Sequence, residues 1–223
     1  KSNYWGPLPK VMAEANRRVD WIHLSPDQVT RRVVLRDHET IVALNEKSAT
    51  NRHWLLTDFL TWHLLRRVLQ EDLNIRRQGK ALQEKLVLPP LSHAYWQAFN
   101  ESFSDCFFGR TAVKNCLYLW LFDALLDGAP RQKSGVFLYE NQAWEAALIQ
   151  SWGQGKHGKL FGVAHTTTRF WDTRYFKDPR DVWPQSTENL AQQPHQVLVN
   201  GPLMYEQCME AGFPRDRVQT VEA

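Results

Sequence analysis

Cysteine is scarce. The 223 residues hold only three, Cys106, Cys116 and Cys208, an odd number with no CxxC pair and no spacing suited to a metal. That argues against a disulfide scaffold and a thiolate metal site, and for buried thiols in a reducing compartment. Long apolar runs are missing too. The most apolar piece, residues 116–126, is well short of the roughly eighteen residues a membrane span needs, and it carries Asp123. No secretory signal peptide is seen. GxxxxGK followed by Ser or Thr is not present, so no P-loop can be assigned. There is no serine-nucleophile motif, and no His/Cys/Asp/Glu set has metal-ligand spacing. No metal and no resident cofactor are expected.

Charge of one sign is not massed either. Lys and Arg number 27 against 24 Asp and Glu, a net charge of +3 and a pI near 8.8. The densest basic clusters, Arg31-Arg32 and residues 76–80, are too short for a nucleic-acid surface, so no nucleic-acid partner is expected. Mild basicity suits an anionic ligand or an enzyme working beside a membrane.

What the chain does have is ordinary globular composition, 43% apolar and 23% charged, with an unusual wealth of rings: ten Trp and eleven Phe. Such rings serve burial first and can also form a platform for a sugar or base.

The most informative stretch is residues 135–168. The run Val136-Phe137-Leu138-Tyr139 has the length and flavour of a buried strand and stops at Glu140-Asn141-Gln142. A helical pattern follows, with Trp144, Ala147, Leu148, Ser151 and Trp152 on one face, until Gly153, Gly155 and Gly158 break it. A second strand-like run, residues 159–164, ends at His165-Thr166-Thr167-Thr168. Strand, helix and strand in about thirty residues predict a βαβ unit with parallel strands. Ligands of such units sit beyond the carboxyl ends of the strands, where these two polar clusters fall.

Taken in order, residues 4–9 lead into a helix through about residue 18, and residues 19–24 alternate like a strand. Residues 31–44 read as a strand pair or an irregular excursion. Residues 51–73 read as one amphipathic helix with Leu55, Leu56, Phe59, Leu60, His63, Leu64 and Val68 as its stripe, and residues 92–126 as two helices divided at Gly109. Residues 169–194 read as a long aromatic loop beside the expected cleft. A short strand at 196–199, a turn at Asn200-Gly201, a helix from Pro202 to Ala211 and a strand at 218–221 complete the pattern. The fold expected is α/β: an open parallel sheet with flanking helices over residues 1–25 and 134–223, plus a mainly helical insertion at 26–133.

Four stretches carry a resemblance. YWGPLP at residues 4–9, YENQAWE at 139–145, GVAHTTTRFWDTRYF at 162–176, and VNGP, AGFP and VEA within 199–223 are together similar to a family of bacterial surface-carbohydrate proteins of O-antigen and capsule biosynthesis. The strand–helix–AGFP–strand ending resembles the close of the N-terminal domain in GT-B-type glycosyltransferases. The resemblance covers most of the chain, least over residues 26–90. It implies a Rossmann-like domain, the N-terminal half of a GT-B-like architecture, with a second nucleotide-binding domain expected downstream of residue 223. It also implies a glycosyltransferase using a nucleotide-sugar donor and a saccharide or lipid-linked acceptor, in the cytoplasm and peripherally at the cytoplasmic face of the inner membrane. Another sugar-nucleotide enzyme such as an epimerase, or a non-catalytic sugar-binding module of an assembly complex, stays open beside it.

Candidate chemistry follows from position. Glu140, at the mouth of a strand, is suited to deprotonating an acceptor hydroxyl or attacking as a nucleophile; it is equally suited to a helix cap or salt bridge. His165, ending the neighbouring strand, is a base, a donor to phosphate, or a structural imidazole. Asn141, Gln142, Thr166 and Thr167 offer hydrogen bonds to sugar or phosphate. Arg169 and Arg174 match phosphate or carboxylate oxygens, with Asp172 as a partner and Trp171 as a stacking face. Asn200 and Gly201 read as turn chemistry and as a place where backbone approaches ligand. Glu145 reads as a supporting or helix-surface residue, and His23 and Ser25 as late candidates for the same edge.

Overall fold

A computed structural model describes residues 5–24, 31–48, 51–85, 93–164 and 193–221. These residues form a mixed α/β protein with seven α-helices and two parallel sheets. The chain divides into two compact units, Lys1–Thr61 and Trp62–Ala223.

The first unit contains α1 (Leu8–Glu14), β1 (Asp20–His23), α2 (Arg31–Lys47), β2 (Arg52–Leu55) and a 3-10 turn, Leu56–Phe59. β1 and β2 are parallel, with Asp20 opposite Arg52 and His23 opposite Leu55. Two expectations are corrected here. Residues 31–44 are neither a strand pair nor irregular but most of helix α2. Val33, Val34, Ile41 and Val42 read locally as β-formers, whereas two parallel strands need a crossover between them and this segment supplies it. Residues 51–61 do not begin the long helix. The side chain of Asn45 bonds both backbone groups of His53, accepting its N–H at 2.7 Å and donating to its C=O at 2.9 Å. Asn51 Oδ1 accepts the N–H of Val19 at 3.1 Å. With β1 alongside, those bonds hold the chain extended where its apolar spacing alone suggests a helix.

The second unit opens with three helices, α3 (Trp62–Lys85), α4 (His93–Phe108) and α5 (Arg110–Gly128). It continues with β3 (Ser134–Leu138), α6 (Ala143–Gln154), β4 (Lys159–Val163), β5 (Gln196–Val199), α7 (Pro202–Glu210) and β6 (Val218–Thr220). The expected division at Gly109 holds, and α3 continues through the polar residues 74–85. Of the stripe expected across residues 51–73, Leu64 and Val68 are buried on α3 while Leu60 and His63 are exposed. The four strands are parallel and adjacent in chain order, β3-β4-β5-β6. The predicted parallel pairing of residues 136–139 with 160–164 is observed, Val136 lying opposite Phe161 and Leu138 opposite Val163.

Alternation along the strands gives the sheet one dry face. Phe137, Tyr139, Leu160, Ala164, Val197, Val199 and Val218 are buried on it. Helix α6 covers that face: Trp144 meets Phe137 edge-on at 6.0 Å, and the Trp152 ring lies over Gly135. On its other side Trp144 stacks with Phe122 of α5 at 6.4 Å. Squeezed between sheet and helix, α6 is apolar nearly all round, which is why its amphipathic signal is faint. Each large ring buried this way contributes about 1.5–3 kcal/mol. Outward from α5, Arg67 of α3 holds its guanidinium 3.8 Å above the Trp120 ring.

The amino-terminal rim of the sheet is fastened. His157 accepts the N–H of Gln132 through Nδ1 at 3.0 Å, so Nε2 carries the proton and donates to the Leu126 carbonyl at 3.2 Å. Gly158 gives its N–H to the Gln132 carbonyl, and a Cβ there would run into the carbonyl of Lys133. This imidazole is structural. The opposite rim is the one left for chemistry.

Candidate functional site

At the carboxyl ends of the strands the register aligns polar positions of β3 and β5. Tyr139 N–H bonds the Val163 carbonyl, Ala164 N–H bonds the Leu198 carbonyl, and Val221 N–H bonds the Val199 carbonyl. The register therefore puts Glu140, after β3, and Asn200, after β5, on one level. Neighbouring strands are about 4.8 Å apart, which puts the ends of β3 and β5 about 10 Å from each other. His165, Thr166, Thr167, Arg169, Trp171, Asp172 and Arg174 lie outside the described residues. The structure brings Glu140, Asn141 and Gln142 together on one loop, with Asn200 and Gly201 two strands away on the same rim.

Sequence reasoning undervalued the residue that builds this rim. Glu145 is only 2% exposed, and its carboxylate accepts three backbone N–H groups in succession. Oε1 takes Glu140 N–H at 2.8 Å and Gln142 N–H at 2.9 Å; Oε2 takes Asn141 N–H at 3.0 Å. As the N3 residue of α6 it reaches back to the cap, and it also folds the chain tightly between β3 and the helix. Asn141 accordingly takes a left-handed φ of +62°, a conformation asparagine tolerates better than most residues. The available signal was the E-N-Q-x-x-E spacing, an acid three residues past a polar cap.

Two consequences follow for chemistry. A helix start beside a parallel strand is an anion site because its N–H groups are unpaired. Here the Glu145 carboxylate takes the N–H groups of residues 140–142 just before that start, so its charge disfavours a phosphate at the opening of α6. Glu140, by contrast, is half-buried, its backbone fixed by Glu145 while its side chain stands at the strand mouth. The helix-cap reading of position 140 therefore passes to Glu145.

The end of β5 differs. Gly201 has a φ of +103°, in the region that favours glycine, and precedes α7 with Pro202 at the first helical position. No side chain caps α7 and no acid occupies its first turn. The positive end of its dipole faces the rim uncompensated, unlike that of α6. Between these two ends, the Tyr139 hydroxyl donates to Gln193 Oε1 at 2.6 Å, joining the end of β3 to the residues leading into β5.

A second polar cluster belongs to the first unit. His23 Nε2 and His53 Nδ1 are 3.0 Å apart on neighbouring strands, their rings stacked at 5.2 Å. Trp21 stacks on His53 at 6.5 Å. One nitrogen of the pair donates and the other accepts, so the pair is stable with one shared proton between the rings. Burial, then the charge His53 would carry, holds His23 below its ordinary 6.5; burial holds His53 below it too. Ser25, the other candidate from that strand, lies outside the described residues. Among the described residues no three His, Cys, Asp or Glu side chains gather closely enough to hold a metal ion.

Comparison of the chain with protein-family models, with curated proteins and with solved structures finds no match. The four strands follow chain order without reversal, so among the described residues no switch-point crevice of the doubly wound kind is present.

Proposed function

We propose that the second unit is the acceptor-side, Rossmann-like half of a GT-B-type glycosyltransferase serving bacterial surface-polysaccharide biosynthesis. It would use a nucleotide-sugar donor and a saccharide or lipid-linked acceptor. The observation that carries this reading is the asymmetry of the rim. One strand ends in a held but solvent-reachable carboxylate, Glu140, and another ends at an uncapped helix start, Asn200-Gly201. Sugar transfer needs both kinds of group: a base for the attacking hydroxyl and a positive place for the phosphates that leave. Asn141 and Gln142 are exposed on the same loop and suit sugar hydroxyls. In this reading His165 and Arg169 take the charge-managing roles, and Thr166, Thr167, Trp171, Asp172 and Arg174 bind donor or acceptor.

In this mechanism Glu140 accepts the proton of the acceptor hydroxyl as its oxygen attacks the anomeric carbon. The bond from that carbon to the donor phosphate breaks, and the nucleotide departs with the electron pair. The test is transfer from a panel of uridine-, guanosine- and cytidine-linked sugars to a membrane-lipid extract, with release of free nucleotide measured for wild type and for Glu140→Gln. Nucleotide release that requires the acceptor and falls on the order of a hundredfold or more in the variant is the expected result. Release without acceptor, or a variant that turns over as fast as wild type while folded, overturns it.

A further inference from the structure

Trp62 is 83% exposed at the start of α3, and Leu69 and Leu73 on the same side of that helix are 60% and 54% exposed. At about 100° per residue, the sector within about 60° of Trp62 is filled, down to Lys80, by Trp62, Leu65, Arg66, Leu69, Leu73, Arg76, Arg77 and Lys80. Four are apolar, four are cationic and none is acidic; the first acid in the sector is Glu84, in the last turn. Arg76 is held by Asp72 at 2.7 Å, but Arg66, Arg77 and Lys80 are exposed and enter no ion pair among the described residues. The buried side of the helix, Leu64, Val68, Asp72 and Gly79, faces elsewhere. Trp62, Leu69 and Leu73 are thus surplus to the packing of α3.

We propose that this face of α3 docks the protein onto an anionic lipid surface, with Trp62, Leu69 and Leu73 entering the headgroup boundary and Arg66, Arg77 and Lys80 pairing with lipid phosphates. Exposed hydrocarbon between unpaired cations, along about 27 Å of one helix, is the pattern of a helix lying in an interface. Trp at its end suits the headgroup level, where an apolar ring and a polar N–H are both accommodated. No helix among the described residues is long and apolar enough to cross a membrane, so this contact is a docking one. Two other occupants fit worse. A second copy of the chain meeting this stripe about a two-fold axis would bring one cationic face, without an acid before Glu84, against another. A nucleic acid would pair with the cations but leave Leu69 and Leu73 against phosphodiester. The proposal is independent of sugar transfer: it is read by lipid binding, and its failure leaves the function proposed above untouched.

The experiment is co-sedimentation of the whole chain with vesicles of phosphatidylcholine alone and of phosphatidylcholine mixed with phosphatidylglycerol. Binding to the anionic vesicles only, weakened by salt, is expected. The triple variant Arg66→Gln/Arg77→Gln/Lys80→Gln should bind more weakly by about fivefold per cation, on the order of a hundredfold in all. Trp62→Ala with Leu69→Ala should abolish the binding that survives high salt, while the circular dichroism and thermal transition of both variants match wild type. Equal binding by wild type and the triple variant overturns the proposal, as does no binding to anionic vesicles. So does association with polyglutamate that equals vesicle binding and ignores Trp62→Ala/Leu69→Ala, which would mark the face as a site for acidic protein.

Discussion

The buried carboxylate of Glu145 holds the backbone N–H of Glu140 at 2.8 Å, so one acid positions another. Glu140 stands where a strand releases it, and Glu145 decides the direction of its main chain. The pair separates support from chemistry within six residues.

That separation is measurable. Glu145→Ala removes three charge-assisted bonds and leaves a space in the interior beside α6, so it should destabilise the protein by about 2–4 kcal/mol, read as a lower urea midpoint. Glu140→Gln should leave the urea midpoint where it was and lower transfer by a hundred- to ten-thousand-fold. A Glu140→Gln variant that unfolds as easily as Glu145→Ala would return position 140 to the fold.

The three histidines with resolved shifts all lean one way. His23 and His53 are held low as described, and His195, which accepts the Leu160 N–H, is lowered by burial and then by Arg217 and Lys159. A histidine whose folded value lies below its unfolded 6.5 contributes stability above that value and loses it as the pH falls through the lower folded value. Melting temperature should therefore be flat above about pH 7 and decline on acidification below 6.5. His23→Gln should flatten part of that decline by removing the repulsion that protonation of both rings would bring. An unchanged slope in this variant would place the acid sensitivity elsewhere.

At the other rim, Gly158→Ala should be costly because the obstacle is backbone. The Lys133 carbonyl cannot rotate aside as a side-chain tip does, and the Gln132 bonds to Gly158 and His157 hold that segment in place. A loss of about 2–4 kcal/mol is expected in chemical denaturation. Gly128→Ala, with open space around the position, serves as the control and should be near neutral.

Thiol labelling should be unequal. Cys106 is exposed, whereas Cys116 and Cys208 are buried. Burial pushes the Cys208 thiol up to about 11; burial and then the charges of Glu71 and Asp72 raise that of Cys116. One thiol of the three is expected to react promptly with an aromatic disulfide at neutral pH, and all three after denaturation.

Sequence by itself determined the βαβ core of the second unit. Residues 136–139 and 160–164 are short, apolar and bounded by polar or glycine residues, and between them lies a segment long enough for a crossover helix. Those local features suffice because parallel neighbours with a helical connection admit one arrangement. The division of α4 from α5 at Gly109 was legible for the same reason, a breaker between two periodic segments. The polar rim was legible as composition, since Glu140-Asn141-Gln142 and Asn200-Gly201 end their strands.

Tertiary structure alone decided the rest. Residues 31–47 became a helix because β1 and β2 lie parallel, a relation between segments thirty residues apart that no window on the sequence contains. Residues 52–55 became a strand because Asn45 and β1 claim their backbone groups, overriding an apolar spacing that suits a helix. Glu145 looked like one of many helix acids, and burial made it the fastener of the rim. The exposed face from Trp62 to Lys80 was not legible, since exposed and buried leucines share one helical period. Only the packing of Leu64 and Val68 on the opposite side of α3 shows which set faces water.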